Sequence, residues 1–156
     1  MSEAYEGGCA CGGVRYRMTG RPMFVHACHC RRCQRLSGAA FGVNAPIETD
    51  RLAVLKGQAV PVSYMSEAGH RHISVRCPDC GVTLWTHHPF FGPRVALVTV
   101  GTLDGGSDFR PQIHCFTRFK LPWVALPADV PTVEDSYDPA QVWLRESLDR
   151  LAATRA

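Results

Sequence analysis

Seven of the eight cysteines in this chain of 156 residues stand at metal-ligand spacing, and that pattern restricts the fold more than any other feature. They fall as Cys9-x-Cys11, Cys28-x-Cys30-x-x-Cys33 and Cys77-Pro-Asp-Cys80-Gly81, with Cys115 alone. The N-terminal MSEAYEGG carries two acidic residues and no apolar run, so no secretory signal is expected and the chain is expected to be cytoplasmic. Thiols in a reducing compartment stay free or bind metal, which makes disulfides the weaker reading.

Zinc favours tetrahedral thiolate sites. A C-x-x-C-G turn aims two sulfurs at one ion, and its glycine takes the positive φ that turns backbone N–H groups toward them. Cys77 to Gly81 is such a knuckle. On an extended segment side chains i and i+2 share a face, so Cys9 and Cys11 form a complementary half. Counting ligands suggests a partition. Cys9, Cys11, Cys77 and Cys80 would close a structural site, and Cys28, Cys30 and Cys33 would hold a second zinc with one open position, two ions per chain. Another pairing stays open, Cys28 and Cys30 with the knuckle, as does a closed second site completed by His26, His29 or Cys115. A redox pair at Cys77 and Cys80 lacks the strand-to-helix context such motifs need. Cys115, in IHCF, reads as a buried core thiol.

The rest of the chain has the look of one mainly β domain. Segments rich in Val, Thr, Ile and aromatics recur between Gly and Pro punctuation: Val14 to Met18, Phe41 to Ala45, Leu52 to Leu55, Val60 to Met65, His72 to Arg76, Val82 to Thr86, Val95 to Val100 and Ile113 to Phe119. Several alternate, and nothing between them shows ten residues of helical period, so antiparallel sheets are expected rather than a parallel α/β fold. The longest apolar run, Val95 to Val100, is too short for a membrane span. Basic residues are scattered apart from Arg31, Arg32 and Arg35 and the formal charge is only +3, which argues against nucleic acid as a partner.

Two helices are expected. One is a short turn over Arg31 to Leu36. The other begins at Asp138 as cap with Pro139 at the first helical position, carries Leu144, Leu148 and Leu151 on one face, and pairs Glu146 with Arg150. A zinc-binding domain over residues 1–130 would then be followed by a linker and this helix over 131–156, the helix packing on its own domain or against a homodimer partner. His29, between two proposed ligands, should point away from the metal to a supporting or surface role. His87 and His88 lie in a loop where substrate contact is open to them, and His114 reads as packed or hydrogen-bonded.

In its ordered motifs the chain resembles the glutathione-dependent formaldehyde-activating family, the GFA domain shared with centromere protein V. The motifs are Gly8-Cys9-Ala10-Cys11-Gly12-Gly13-Val14-Arg15-Tyr16, Cys28 through Phe41, Arg76-Cys77-Pro78-Asp79-Cys80-Gly81, Leu84-Trp85, His114, and Pro122-Trp123-Val124. The resemblance implies twisted antiparallel sheets in a β-tent zinc-binding fold. It also implies a structural zinc on Cys9, Cys11, Cys77 and Cys80 and an active-site zinc on Cys28, Cys30 and Cys33. The tail after Tyr137 lies outside it. The activity implied is addition of glutathione to formaldehyde giving S-(hydroxymethyl)glutathione, a carbon–sulfur lyase reaction in reverse.

One Zn²⁺ with three thiolates carries a net charge of −1, a poor Lewis acid for a carbonyl and a better holder of a further thiolate. Glutathione sulfur is therefore expected at the open position, as a small thiol presented to a small aldehyde. Arg31, Arg32 and Arg35 are expected to offset the negative cluster and to receive the glutathione carboxylates, against the plainer reading of a solvated basic turn. Serine-hydrolase order, phosphate loop and dinucleotide fingerprint are all missing from the sequence. The rival class is a zinc-stabilised binding module with both sites closed.

Overall fold

The computed structural model describes residues 3–156. In β2 (Arg15–Thr19) Tyr16 and Met18 are fully buried while Arg17 faces solvent, the period of two expected of a half-buried strand. It pairs antiparallel with β1 (Ala4–Gly8) and β5 (Leu52–Lys56) in a three-stranded sheet. Glu6 and Arg17 are register partners across β1 and β2, and their charges meet at 2.7 Å.

The second sheet has seven strands. Their order is β10 (Ile113–Cys115), β3 (His26–Cys28), β4 (Gly42–Glu48), β9 (Val95–Thr99), β8 (Thr83–His87), β7 (Arg71–Arg76) and β6 (Val60–Met65). In β9, Val95 through Val98 are all buried, because this strand is covered on both faces. The main core lies between the sheets, where Tyr16 and Met18 pack with Ile47, Leu84, Trp85 and Val98. Tyr16 meets Trp85 edge-on at 5.5 Å, and its hydroxyl bonds Thr102 Oγ1 at 2.7 Å. The architecture is mainly β with short C-terminal helices, as the sequence leads one to expect. No helix among the described residues is long and apolar enough to cross a membrane.

Four local expectations are corrected. The sheet is not purely antiparallel, since β10 runs parallel to β3. The strand expected to stop at Ala45 continues through Pro46 to Glu48. Pro46 keeps its carbonyl toward Met23 N, on the side where β3 has already ended at Asn44, so its missing N–H breaks no ladder bond. The strand expected over Ile113 to Phe119 ends at Cys115, where Phe116 takes φ +55° and leads into a single turn of tight helix over Thr117–Phe119. Residues 131–135, read as linker, instead run beside β10: His114 N donates to Pro131 O, and Val133 N to His114 O, both at 2.9 Å.

The expected C-terminal helix is broken in two, α2 (Pro139–Val142) and α3 (Arg145–Ala153), by extended backbone at Trp143 and Leu144. Asp138 does cap α2, accepting from Ala140 N at 2.9 Å. Tertiary packing overrides local periodicity here. Trp143 leaves the helical path to stack on Phe24 and Phe91, and Leu144, expected on the apolar face, is 73% exposed. Leu151 is buried with Met23, Phe24 and Ile113, and Ser147 Oγ donates to Met23 O at 2.6 Å, so these helices pack on their own chain.

Arg150 does not pair with Glu146. It reaches Glu48 of β4, Nε to Oε1 at 2.8 Å, with side chains 22% and 14% exposed. Burial works against ionisation of Glu48, but the Arg150 fork outweighs it and holds the carboxyl below its ordinary value. A depressed carboxyl stabilises the fold above the ordinary carboxylate range and ceases to do so as pH falls through it. Arg150→Ala is expected to lower stability by about 1 kcal/mol at neutral pH, since it leaves the largely buried Glu48 carboxylate only Arg51 Nε, at 3.3 Å, as an ion-pair partner. The urea midpoints of wild type and variant should converge in acid. A gap that persists there would assign the loss to packing.

Candidate functional site

Two turns carry the first cysteine set. After β1 the chain reverses at Gly12, φ +72°, whose N–H donates to Cys9 O at 3.2 Å, while Val14 N donates to Cys9 Sγ at 3.2 Å. Between β7 and β8 it reverses at Gly81, φ +73°, whose N–H donates to Cys77 O at 3.0 Å. Both positions need glycine, because other residues pay for that φ. The Sγ atoms of Cys9, Cys11, Cys77 and Cys80 all lie within 4.8 Å of one another. The separations Cys9 to Cys11, 3.5 Å, and Cys11 to Cys77, 3.7 Å, match the edge of about 3.8 Å in a tetrahedral thiolate site with metal–sulfur bonds near 2.3 Å. Burial opposes ionisation of Cys9, but the Val14 amide and the neighbouring thiols prevail and bring it down to about 6. These residues fit a metal ion, and the set joins the three-stranded sheet to the seven-stranded one.

The second set lies elsewhere. Cys28 ends β3, Cys30 caps α1 (Arg31–Ser37), and Cys33 sits in its first turn with its N–H donating to Cys30 Sγ at 3.4 Å. Their three sulfurs also lie within 4.8 Å of one another, and no fourth His, Cys, Asp or Glu joins them among the described residues. Donation from the Cys28 and Cys33 thiols brings Cys30 well below the ordinary thiol value, while hydrogen bonding with Cys115 pushes Cys28 up and hydrogen bonding with Cys28 pushes Cys33 up. The alternative grouping of Cys28 and Cys30 with the knuckle is not what the structure brings together.

Cys28 and Cys33 form the floor of a cavity of about 350 Å³; none of Cys9, Cys11, Cys77 and Cys80 lines it. Cys115, register partner of Cys28 across β3 and β10, is buried as expected and also faces the cavity, though outside the three-sulfur set. Arg32 alone of the three arginines turns inward. Arg31 is exposed and donates to Gln34 Oε1, and Arg35 is exposed, both away from the cavity. Arg32 Nη1 donates to His72 Nδ1 at 2.6 Å, and a nitrogen that accepts from a guanidinium carries no proton. Burial first and the Arg32 charge second bring both His72 and His88 down to about 4, leaving two neutral imidazoles.

The histidines separate by position. His88 lines the cavity, whereas His87 Nδ1 bonds Val95 O at 2.9 Å and leaves no side chain in it. His29 points away from the sulfurs but is fully buried, not on the surface, with Nε2 3.0 Å from His114 Nδ1. His26 lines the cavity and bonds Tyr137 Oη through Nδ1 at 2.8 Å. Gln34 was not singled out by the sequence. Its Nε2 donates to His29 O at 2.7 Å and to Phe119 O at 3.0 Å, fixing the loop between Cys28 and Cys30. Tyr137 was legible only as the end of a linker.

Residues 4–119 match the family described as glutathione-dependent formaldehyde-activating enzyme. The chain belongs to that family. Relatives bearing its name include a Halomonas elongata protein, 25% identical over 78% of this chain and 80% of its own length. Another, from Phaeosphaeria nodorum, is 31% identical over 73% of this chain, and one from Podospora anserina is 24% identical over 90%. This chain spans 63% of the length of each of the last two. The GFA match ends at Phe119, so the cavity wall made by Ser136, Tyr137 and Pro139 comes from sequence beyond it.

Proposed function

We propose that Cys28, Cys30 and Cys33 hold a zinc ion at the cavity floor, that Cys9, Cys11, Cys77 and Cys80 hold a second, structural zinc, and that the cavity adds a thiol to a small aldehyde. The relatives' name points to glutathione and formaldehyde. Zinc on three thiolates supplies a position that keeps an incoming thiol deprotonated near neutral pH. In the addition a carbon–sulfur bond forms, the carbonyl π pair moves to oxygen, and that oxygen takes up the proton the thiol gave up, a carbon–sulfur lyase step run toward synthesis.

The observation that carries this reading is the contrast between the sets. Four cysteines gather at tetrahedral spacing outside the cavity, while a set of three opens onto it through Cys28 and Cys33. The chain's own groups support it. Arg32 places a permanent positive charge beside the sulfurs, with Cys33 and Cys30 among the charges that act on it. Phe90, Phe91 and Leu97 line the cavity with apolar surface, which limits water around a reacting thiolate.

Metal content tests the count. Protein purified without chelator is expected to carry about two zinc per chain, one for each sulfur set. A firm value of one would remove the open site and leave a zinc-stabilised binding module as the better account.

A further inference from the structure

The cavity's charge inventory does not suit glutathione. That tripeptide carries two carboxylates and an ammonium at neutral pH, and its burial requires a partner for each. No Asp or Glu lines the cavity, and Arg32 is its one permanent cation. Arg32 is half-buried, donates to neutral His72 and to Tyr64 Oη, and has no carboxylate in ion-pair range among the described residues. One guanidinium without a carboxylate can receive one anionic group.

Another part of the cavity wall is aromatic and held in place from outside the family match. Phe91 stacks on Trp143 at 5.8 Å and 13°, and Trp143 on Phe24 at 5.5 Å and 21°. Phe90 lies under the Arg155 guanidinium at 5.6 Å and is still 56% exposed, leaving apolar surface open at the cavity. Trp143 and Arg155 both follow Phe119, so sequence beyond the family match braces the apolar wall.

We propose that the thiol taken by this site has an aromatic or bulky aliphatic body and a single carboxylate, the body resting on Phe90 and Phe91 and the carboxylate facing Arg32. This rests on the thiol-addition reading above and narrows its substrate class.

The test uses the full chain with cobalt in place of zinc, read by the thiolate-to-cobalt absorption that an added thiol changes. Four probes separate the terms: para-(mercaptomethyl)benzoate has ring and carboxylate, benzyl thiol the ring, thioglycolate the carboxylate, and glutathione the zwitterionic peptide. The first is expected to half-saturate at a concentration about tenfold below glutathione and about tenfold below thioglycolate. Arg32→Gln should abolish its advantage over benzyl thiol. Phe91→Ala should abolish its advantage over thioglycolate, and Phe91→Leu, which keeps apolar bulk if the alanine variant fails to fold, should shrink it. Glutathione binding as tightly as the aryl carboxylate, or advantages that survive both substitutions, would overturn the proposal alone. A spectrum that no thiol changes would overturn the thiol-addition reading and this proposal with it.

Discussion

Cys77→Ser is expected not to accumulate as folded protein. Cys77 is almost fully buried at the turn between β7 and β8, and its sulfur lies 3.7 Å from that of Cys11, which belongs to the turn following β1. The four-cysteine set therefore brings the small sheet to the large one, and an ion held there would close a loop of more than sixty residues. Structural zinc contributes about 10–16 kcal/mol to the folded state, and a domain of this size has about 5–15 kcal/mol in total. Serine replaces a thiolate by a neutral hydroxyl, a far weaker ligand, so the loss is comparable with the whole stability. Cys11→Ser should behave alike although its residue is exposed, which separates loss of the metal from loss of packing. Soluble yield and the urea midpoint before and after chelator provide the measurement. A Cys77→Ser protein as stable as wild type would show that the set has no structural ion.

The cysteine grouping was legible because ligand spacing is local and the chemistry admits few partners. Two sulfurs two or three residues apart with a glycine behind them must converge, and only the pairing of halves is long-range. Strands such as Arg15–Thr19 were legible for a similar reason, since alternation records which face is buried. The strands that escaped notice are β1, with two glycines in five residues, and β3, only three residues long. Neither has intrinsic preference to display; β1 is a strand because β2 offers it five register partners, and β3 because β4 and β10 flank it.

The C-terminal helices and the cavity walls were illegible on other grounds. Leu144, Leu148 and Leu151 have a helical period, but the stacking of Trp143 between Phe24 and Phe91 outweighs one continuous helix, and nothing in the local sequence encodes a partner more than one hundred residues away. The contact of Arg32 with His72 and that of His26 with Tyr137 are equally non-local. Proximity in sequence misled in the opposite direction for Arg31 and Arg35: on a helix a residue two positions from Cys33 points to the far side, about 200° round, whereas Arg32 is only about 100° off, so of the three arginines it alone reaches the cavity that Cys33 lines.

Cys30→Ser is expected to leave a folded protein with one metal ion and no thiol site. The four-cysteine set remains complete in this variant, and Cys30 is a half-exposed capping residue of a seven-residue helix rather than part of the core, so its hydroxyl can still accept from Cys33 N. The stability cost should accordingly be about 1 kcal/mol from the cap, together with whatever the second ion contributes. The chemical cost is larger. Removal of the Cys30 sulfur leaves Cys28 and Cys33 as two sulfurs at a position where a metal ion takes at least three protein ligands. Zinc per chain should fall from about two to about one, the midpoint of unfolding should stay near wild type, and added thiol at millimolar concentration should cause no change in the cobalt spectrum. The three readings together discriminate between accounts. Loss of both metals would mean that the two sets fold as one unit, whereas retention of two metals with unchanged thiol binding would mean that another group, such as Cys115, the register partner of Cys28, completes the site in place of Cys30.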